Sequence, residues 1–331
     1  MNFRKFLLLF SVLLLPLLAS SCDSLKASKP LMPVREYEKM IVGRLDADYI
    51  GTSNCLKACH FHDRIKEDFE ASTMGAQMSP QSNMPVVDCE SCHGPGSLAV
   101  EGITPELVAE AEKEGKQAAC KHETLIDLET LPAGAQTLIC LKCHTANATF
   151  NLHNWTISSH ALNDVSCSDC HKVHKGPDLI VSPRETAKMC YRCHEEVKAE
   201  FTLPSRHPVR EGKLFCSDCH DPHGSIAAKN LRKETIKETC SVCHAEKEGP
   251  FLFEHAEVTE NCLNCHNSHG SANNNLLMVR EPFLCLQCHQ GHDPQTLETK
   301  AHYYTRCTDC HQTIHGTDIP SAASKSGRFT R

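Results

Sequence analysis

The longest apolar run in this chain lies close to its N-terminus. It extends from Phe6 to Leu18, is interrupted by Pro16 and follows Arg4 and Lys5. A membrane-spanning helix needs about 20 apolar residues, and this run is shorter. A basic start followed by a short apolar stretch is typical of an export leader. We therefore predict that residues 1–21 are a leader and that the protein is exported.

Beyond the leader, alternating strand patterns are nearly missing and helical patterns are short. One convincing free helix is predicted in TPELVAEAEKEGKQA, where Thr104 caps the helix and Pro105 takes its first position. Ser182 and Pro183 predict a second short helix that leads into Cys190, and the stretch from Glu234 to Cys240 resembles it more weakly. The pattern therefore predicts loops and short helices with little regular secondary structure.

Cysteine changes this picture, because 20 of the 22 cysteines fall in ten similar motifs. Nine motifs read C-x-x-C-H, and the first reads CLKACH, with one extra residue. The motif cysteines are Cys55 and Cys59, Cys89 and Cys92, Cys140 and Cys143, Cys167 and Cys170, Cys190 and Cys193, Cys216 and Cys219, Cys240 and Cys243, Cys262 and Cys265, Cys285 and Cys288, and Cys307 and Cys310. The histidines that follow them are His60, His93, His144, His171, His194, His220, His244, His266, His289 and His311.

C-x-x-C-H is the attachment sequence of c-type haem. The two thiols form thioethers with the haem vinyl groups, and the histidine is the proximal ligand of the iron. Structural zinc needs four ligands and no fixed histidine after each second cysteine. A disulfide framework would accept any residue there. The repeated histidine therefore indicates covalent haem.

The CLKACH motif keeps Cys55, Cys59 and His60, so we expect it to hold haem as well, which gives ten haem c groups. The alternatives are a disulfide or a metal site that includes His62. Cys120 lies outside the motifs, and a buried inert thiol or an axial haem ligand are its two interpretations.

The chain length limits the kind of core that can form. Removing residues 1–21 from 331 leaves 310 residues for ten haems, and only 18 residues of the chain are aromatic (12 Phe, 5 Tyr and 1 Trp). So little polypeptide cannot both enclose ten porphyrins and build layers of helix and sheet. The predicted fold is an elongated multihaem cytochrome c, with short helices and loops wrapped around a linear chain of haems.

The motifs are arranged in two-motif repeats that start at Cys55, Cys140, Cys190, Cys240 and Cys285. In the last four repeats, a lone histidine lies between the two motifs and a trailing histidine follows the second motif by three or four residues. The lone histidines are His160, His207, His255 and His302, and the trailing ones are His174, His223, His269 and His315. This recurrence predicts that these eight are distal ligands and that most haems are bis-histidine ligated.

The first repeat departs from the rule. Met74 occupies the lone-histidine position, and no histidine follows CESCH in GPGSLAV. The other candidates for distal ligands are His122, His153 and His292. The sixth ligands of the first two haems therefore stay open.

The repeats also define the predicted organisation. The leader precedes a tether over residues 22–54, a cytochrome domain over 55–316 with an insertion at 94–139, and a loose tail over 317–331. The leader ends in LASSC, and small residues before Cys22 indicate lipidation of that cysteine; plain secretion is the alternative. The formal charge is −7, and there is no basic patch, so nucleic acid is not an expected partner.

Five stretches carry a resemblance to the decahaem MtrA/DmsE-type cytochromes. They are CESCHGPGS from Cys89, WTISSH from Trp155, LPSRHPVREGKLFCSDCHDPHGS from Leu203, GPFLFEHAEVTENCLNCHNSHGS from Gly249 and CTDCHQTIHG from Cys307. The resemblance implies ten haems in an extended chain that carries electrons on the periplasmic side of a respiring bacterium. It also implies an outer-membrane β-barrel porin and an outer-surface multihaem cytochrome as partners, with periplasmic or inner-membrane cytochromes as donors.

This chain differs from the family at CLKACH, at Met74 and at Ala99, where histidine is common after GPG. We expect an electron carrier and not an enzyme, attached by lipid alone to the periplasmic side of the outer membrane, in anaerobic respiration on external acceptors. The alternatives are a soluble or lipid-anchored periplasmic carrier that feeds a terminal reductase, for example of the dimethyl sulfoxide type, and a multihaem reductase with one open haem.

Overall fold

The structure is a computed structural model that describes residues 41–61, 63–72, 74–81, 86–116, 118–144, 152–174, 182–290, 306–309 and 311–319. It divides the chain into two units. The N-terminal unit combines the residues up to Cys59 with Cys89–Leu131. The main unit combines His60–Asp88 with Pro132–Arg331. The predicted insertion at 94–139 is thus shared between them, and most of it belongs to the N-terminal unit.

Regular structure consists of short helices, as the sequence predicts. The α-helices are Thr52–Ala58, Ile65–Glu70, Cys89–His93, Pro105–Glu114, Ala133–His144, Ser159–Leu162, Cys167–Cys170, Pro183–Cys190, Glu195–Glu200, Ile236–Ser241 and Ala256–Glu260. Single turns of 3₁₀ helix lie at His122–Thr124, Leu128–Thr130, Trp155–Ile157, Cys216–Asp218, Ala228–Asn230, Ala245–Lys247, Cys262–Asn264, Asn274–Leu276, Cys285–Gln287 and Cys307–Asp309.

The predicted helix caps are confirmed. The Thr104 hydroxyl accepts a hydrogen bond from the Leu107 amide, and Pro105 begins the helix Pro105–Glu114. That helix ends at Glu114, four residues before the end of the predicted stretch, and Gly115 caps it in the left-handed conformation. Ser182 caps Pro183–Cys190 through the Glu185 amide. These local hydrogen bonds explain why the helices begin where the sequence indicates.

Sheet is almost missing from the described part of the chain. Its two strands, β1 (Ser205–Arg206) and β2 (Gly270–Ser271), pair antiparallel with Ser205 opposite Ser271. Because β1 follows the Cys190 motif and β2 follows the Cys262 motif, this pairing joins two successive repeats. Among the described residues, no helix is both long and apolar enough to cross a membrane.

The N-terminal unit is held together around the carboxylate of Glu90, which is only 3% exposed. Its two oxygens accept hydrogen bonds from the backbone amides of Ile50, Gly51 and Gly96 at 2.6–2.9 Å. A second pair of bonds joins His93 to Ile126: the Ile126 amide donates to the His93 carbonyl, and His93 Nδ1 donates to the Ile126 carbonyl. These bonds fix the CESCH helix against both flanking segments.

The main unit has a small apolar core. One cluster of buried residues contains Ala187, Phe201 and Val209, with Tyr191 packed against it. So few buried side chains stabilise a unit of this size only weakly. The described part of the main unit therefore has little apolar core of its own.

Candidate haem-binding centres

Seven of the eight C-x-x-C-H motifs of the main unit close a single tight turn, and the eighth, from Cys140, ends the helix Ala133–His144. The backbone amide of the histidine donates to the carbonyl of the first cysteine, four residues earlier, at about the usual hydrogen-bond length. This bond joins His171 to Cys167, His194 to Cys190, His220 to Cys216, His244 to Cys240, His266 to Cys262, His289 to Cys285 and His311 to Cys307. The turn brings the backbone of the histidine against that of the first cysteine, which suits covalent haem attachment by one short segment.

Many of the imidazoles are oriented by a hydrogen bond at Nδ1. The acceptors are backbone carbonyls at 2.5–2.9 Å: Ile126 for His93, Pro222 for His160, Ser268 for His207, Lys229 for His220 and Asn275 for His266. A carbonyl can only accept, so Nδ1 carries the proton and Nε2 keeps its lone pair. Such a second partner is typical of histidine that binds a metal through Nε2.

Two of these carbonyls are positioned by unusual backbone. Lys229 has φ 59° and Asn230 φ 52°, and in the following repeat Asn275 has φ 57° and Leu276 φ 59°. Non-glycine residues seldom adopt this left-handed conformation. In both loops it directs a carbonyl at the proximal imidazole of a second motif. The repetition of the strained pair links it to the haem site.

A carboxylate replaces the carbonyl at His269. Its Nδ1 lies 2.9 Å from the Glu200 carboxylate, at the end of the helix Glu195–Glu200. His60 has a similar partner in Asp63, at 2.8 Å. A carboxylate acceptor makes an imidazole a stronger electron donor to a metal. The haem that His269 serves should therefore have a lower potential than a haem with carbonyl-bonded ligands.

Proximal histidines face the spare histidines in six pairs among the described residues. The ring centroids lie 5.9–6.3 Å apart in every pair. The pairs are His194 with His160, His171 with His223, His244 with His207, His220 with His269, His289 with His255, and His266 with His315.

In these pairs, the two histidines come from neighbouring repeats. A lone histidine faces the first motif of the next repeat, as His160 faces His194. A trailing histidine faces the second motif of the preceding repeat, as His223 faces His171. In these six pairs, each spare histidine therefore completes a site in a neighbouring repeat and not in its own.

The spacing of the pairs fits a haem iron. A metal about 2 Å from each of two imidazole nitrogens separates the ring centroids by roughly 6 Å. Burial, the largest cause in each case, also lowers the pKa of His220, His223, His255 and His315. A lowered pKa favours the neutral imidazole, which is the form that binds metal. Distance, orientation and protonation therefore all suit bis-histidine ligation.

The cysteines of successive motifs lie close enough to affect each other's pKa from Cys140 to Cys307. Within each of these repeats, Cys140 lowers the pKa of Cys167 and Cys216 raises that of Cys190, and, after the larger effect of burial, Cys262 raises the pKa of Cys240 and Cys307 that of Cys285. Between repeats, the effect is smaller than that of burial: Cys193 raises the pKa of Cys170, Cys243 that of Cys219, and Cys288 that of Cys265. Haems attached to successive motifs would therefore be neighbours.

Four of the remaining candidates lie in the described part of the chain. Met74 is half-buried in a turn, and His122, His153 and His174 are exposed. Cys22, His62, His292, His302 and Cys310 lie outside the described residues.

The first motif departs from the expectation that Cys59 carries haem. In the structure Cys59 forms a disulfide with Cys120. A sulfur in a disulfide cannot also form a thioether, so in this state the motif cannot hold haem by both cysteines. Cys120 is then neither an inert thiol nor an axial ligand, the two interpretations that the sequence allows. The pairing joins residues 61 positions apart, and no local pattern indicates it.

Sequence reasoning also missed residues that act through hydrogen bonds. Glu200, Glu90 and the carbonyl-bearing residues Lys229 and Asn275 have ordinary surroundings in the sequence. Their roles depend on contacts between segments that are far apart in the chain, except for the two loops. In those loops the spacing from histidine to acceptor is the same, nine residues, which is a pattern that a repeat alignment could have revealed.

Comparison with known proteins agrees with this geometry. The doubled CXXCH motif family matches residues 160–199, 207–249 and 255–294. Each matched segment begins at a lone histidine and ends shortly after the first motif of the next repeat, whose histidine faces that lone histidine. The multiheme cytochrome MtrA of Shewanella baltica (strain OS185) is 37% identical over 284 residues, which are 82% of this chain and 80% of that protein. The chain therefore belongs to the MtrA family of multihaem c-type cytochromes.

Proposed function

We propose that this cytochrome relays electrons along a row of c-type haems and does not itself convert a substrate. The observation that carries the proposal is the set of six imidazole pairs that link each repeat to the next from Cys140 to Cys285. It places each haem next to the following one, so an electron can pass between them without leaving the protein. The haem supplies the one-electron chemistry, and the chain supplies its position and axial ligands.

Axial ligation supports a carrier over a reductase. A reductase needs an iron with an open position for its substrate. In the six imidazole pairs, two histidines would hold one iron from both faces and would leave no open position there. Bis-histidine ligation also gives lower potentials than Met/His ligation. The test is the spectrum: a low-spin protein that does not bind cyanide or nitrite is expected, and a high-spin haem that binds nitrite would favour the reductase.

The proposed place of the relay is the periplasmic side of the outer membrane, within a porin. Membership of the MtrA family supports this position. So does the chain itself, because polar loops and haem propionates cannot face lipid, where each unsatisfied polar group costs several kcal/mol. A polar haem relay that bridges a hydrocarbon layer of about 30 Å therefore needs a protein sheath. An outer-surface multihaem cytochrome would accept the electrons beyond it.

Proteoliposomes test the porin assembly. Vesicles that contain porin and cytochrome should let external ferric iron oxidise an enclosed reduced dye, and either component alone should not. If the cytochrome never co-purifies with a porin and supports no such current, it acts instead as a tethered periplasmic carrier that feeds a terminal reductase.

The proposed site of lipid attachment is Cys22. Cleavage before this residue and diacylation would anchor the protein stably, because two acyl chains hold a protein far better than one. Cys22→Ala should release the cytochrome from washed membranes or block its processing, and the haem spectrum of any exported protein should stay unchanged. Full membrane retention of the variant, with no lipid mass on the wild type, would contradict the anchor.

A further inference from the structure

The first motif has a different helical register from the other nine. In the regular motifs, the residue four positions after the first cysteine is histidine, and its amide donates to that cysteine's carbonyl. In CLKACH the same bond is made by Cys59, whose amide donates to the Cys55 carbonyl at 2.9 Å. Ala58 thus occupies the position of the second thiol. One extra residue turns the following side chain by about 100° around a helix with 3.6 residues per turn.

This change of register directs Cys59 away from the position of a haem thiol. Cys59 is 5% exposed and is bonded to Cys120, with the two Cα atoms 6.1 Å apart. That separation is ordinary for a disulfide. Both cysteines belong to the N-terminal unit. The second regular thiol of that unit, Cys92, keeps the normal spacing in the helix Cys89–His93.

The segment that carries Cys120 is fixed independently of the disulfide. The Lys121 amide donates to the Ala99 carbonyl, and the Ile126 amide donates to the His93 carbonyl, both at 2.9 Å. Lys121 also forms an ion pair with Glu101 at 2.8 Å. Cys120 is therefore held beside the Ala99 segment by its neighbours, and the disulfide adds Cys59 to an arrangement that already exists.

The first repeat also has no trailing histidine. Positions three and four after His93 are Gly96 and Ser97. Both are used to hold the backbone: the Gly96 amide donates to Glu90, and the Ser97 hydroxyl accepts from the Asp48 amide. A side chain at Gly96 would meet Glu90 and Ile50 at 3.2–3.3 Å. Because a trailing histidine serves the preceding repeat and no motif lies before Cys55, this place can be used for structural contacts without removing a ligand from either motif of the first repeat.

We propose that the CLKACH motif is a disulfide clasp and not a haem site, so that the mature protein has nine haems. Two thiols, Cys59 and Cys120, become a disulfide by exchange with an external protein disulfide, which is reduced to a dithiol and takes up both electrons and both protons. The relay then begins at the Cys89 motif. The clasp ties residues before the first haem to the segment that flanks His93.

Mass spectrometry of the mature wild-type protein tests the clasp. The expected intact mass is the polypeptide with nine haems, less two hydrogens. Digestion without reductant should give a peptide pair linked through Cys59 and Cys120 that a reductant separates. Ten haems, or haem on the peptide that contains Cys55, would overturn the proposal. A protein with no haem would instead refute the electron relay, and the linked peptides would still report on the clasp.

Matched serine variants give a second readout. Cys59→Ser should leave the haem absorbance per polypeptide unchanged, because no haem depends on Cys59. Cys92→Ser, the corresponding thiol of the next motif, should remove a thioether and change the mass or spectrum of one haem. Loss of one haem in Cys59→Ser, matched by the same loss in Cys92→Ser, would show that CLKACH is a haem site.

Discussion

At the scale of single residues, the hydrogen bond at Nδ1 distinguishes one histidine from another. A carbonyl acceptor, as at His207 and His266, fixes the tautomer and leaves the imidazole neutral. The Glu200 carboxylate does the same for His269 and adds negative charge beside the iron. Haems with the same ligands should therefore differ in potential along the row.

Replacing Glu200 tests this difference. Glu200→Gln keeps an acceptor for His269 but removes the charge, so the midpoint potential of the haem at the Cys216 motif should rise. A rise of tens of millivolts is expected, since about 59 mV is a tenfold change in a one-electron equilibrium. Spectroelectrochemical titration measures it, with Glu196→Gln as the control on an exposed position of the same helix. Equal curves for both variants would contradict the role of Glu200.

At the scale of elements, the distal ligand His223 is presented by a short turn whose backbone leaves no space for a further side chain. Gly224 follows His223 with φ 104°, and a Cβ there would lie 2.5 Å from the Asn154 carbonyl oxygen and 2.7 Å from Ser158. The same segment contains Trp155, whose ring contacts His223. The WTISSH segment is therefore packed against the turn that positions a distal ligand.

Alanine at Gly224 should disturb both the turn and the ligand. We expect Gly224→Ala to lower the free energy of unfolding by about 1–3 kcal/mol, from the positive φ and the close contacts. The haem at the Cys167 motif, which His223 faces, should become accessible to cyanide. Gly134→Ala is the matched control: nothing lies within 4 Å of its Cβ position, and in a helix the change should stabilise by about 0.5–1 kcal/mol. Equal stability of the two variants in urea titrations would contradict this account.

The clasp is a second element with a measurable effect. Removing a disulfide commonly costs about 2–4 kcal/mol. Cys120→Ser should therefore increase amide hydrogen exchange by roughly 30-fold or more over residues 118–131, where Lys121 and Ile126 donate their bonds. Hydrogen exchange followed by mass spectrometry measures this change. The double variant Cys59→Ser/Cys120→Ser should match the single variant, because both lack the same bond; a further loss in the double variant would give Cys59 another role.

At the scale of the whole molecule, the polypeptide alone has little to bury. The described core of the main unit centres on Ala187, Phe201 and Val209. A domain with so small a core usually needs metals, disulfides or cofactors to fold. The haems therefore contribute to the fold as well as to electron transfer.

Expression without haem attachment tests this dependence. The apoprotein should show no cooperative thermal transition by circular dichroism and should lose most amide protection, while the holoprotein melts cooperatively. The reason is that the chain cannot offset its conformational entropy without the buried porphyrin surface. A cooperative transition of the apoprotein near that of the holoprotein would show that the polypeptide folds by itself.

The sequence by itself determined the cofactor, the repeat and the local elements. C-x-x-C-H places all its groups within five residues, so its chemistry can be recognised without the fold. The caps at Thr104 and Ser182 are local for the same reason, and both helices begin as predicted. Recurrence singled out eight spare histidines, and six of them face a proximal histidine in the described residues, although the sequence did not show which.

Only the tertiary structure decided which groups meet. His160 and His194 are separated by a whole motif in the chain, and Cys59 and Cys120 by 61 positions. Spacing within one repeat cannot show that ligands are exchanged with the neighbouring repeats, because that depends on how successive turns pack. One inserted residue in CLKACH reads as a small variation in the sequence. In the folded chain it changes the helical register, and the direction of the Cys59 thiol changes with it.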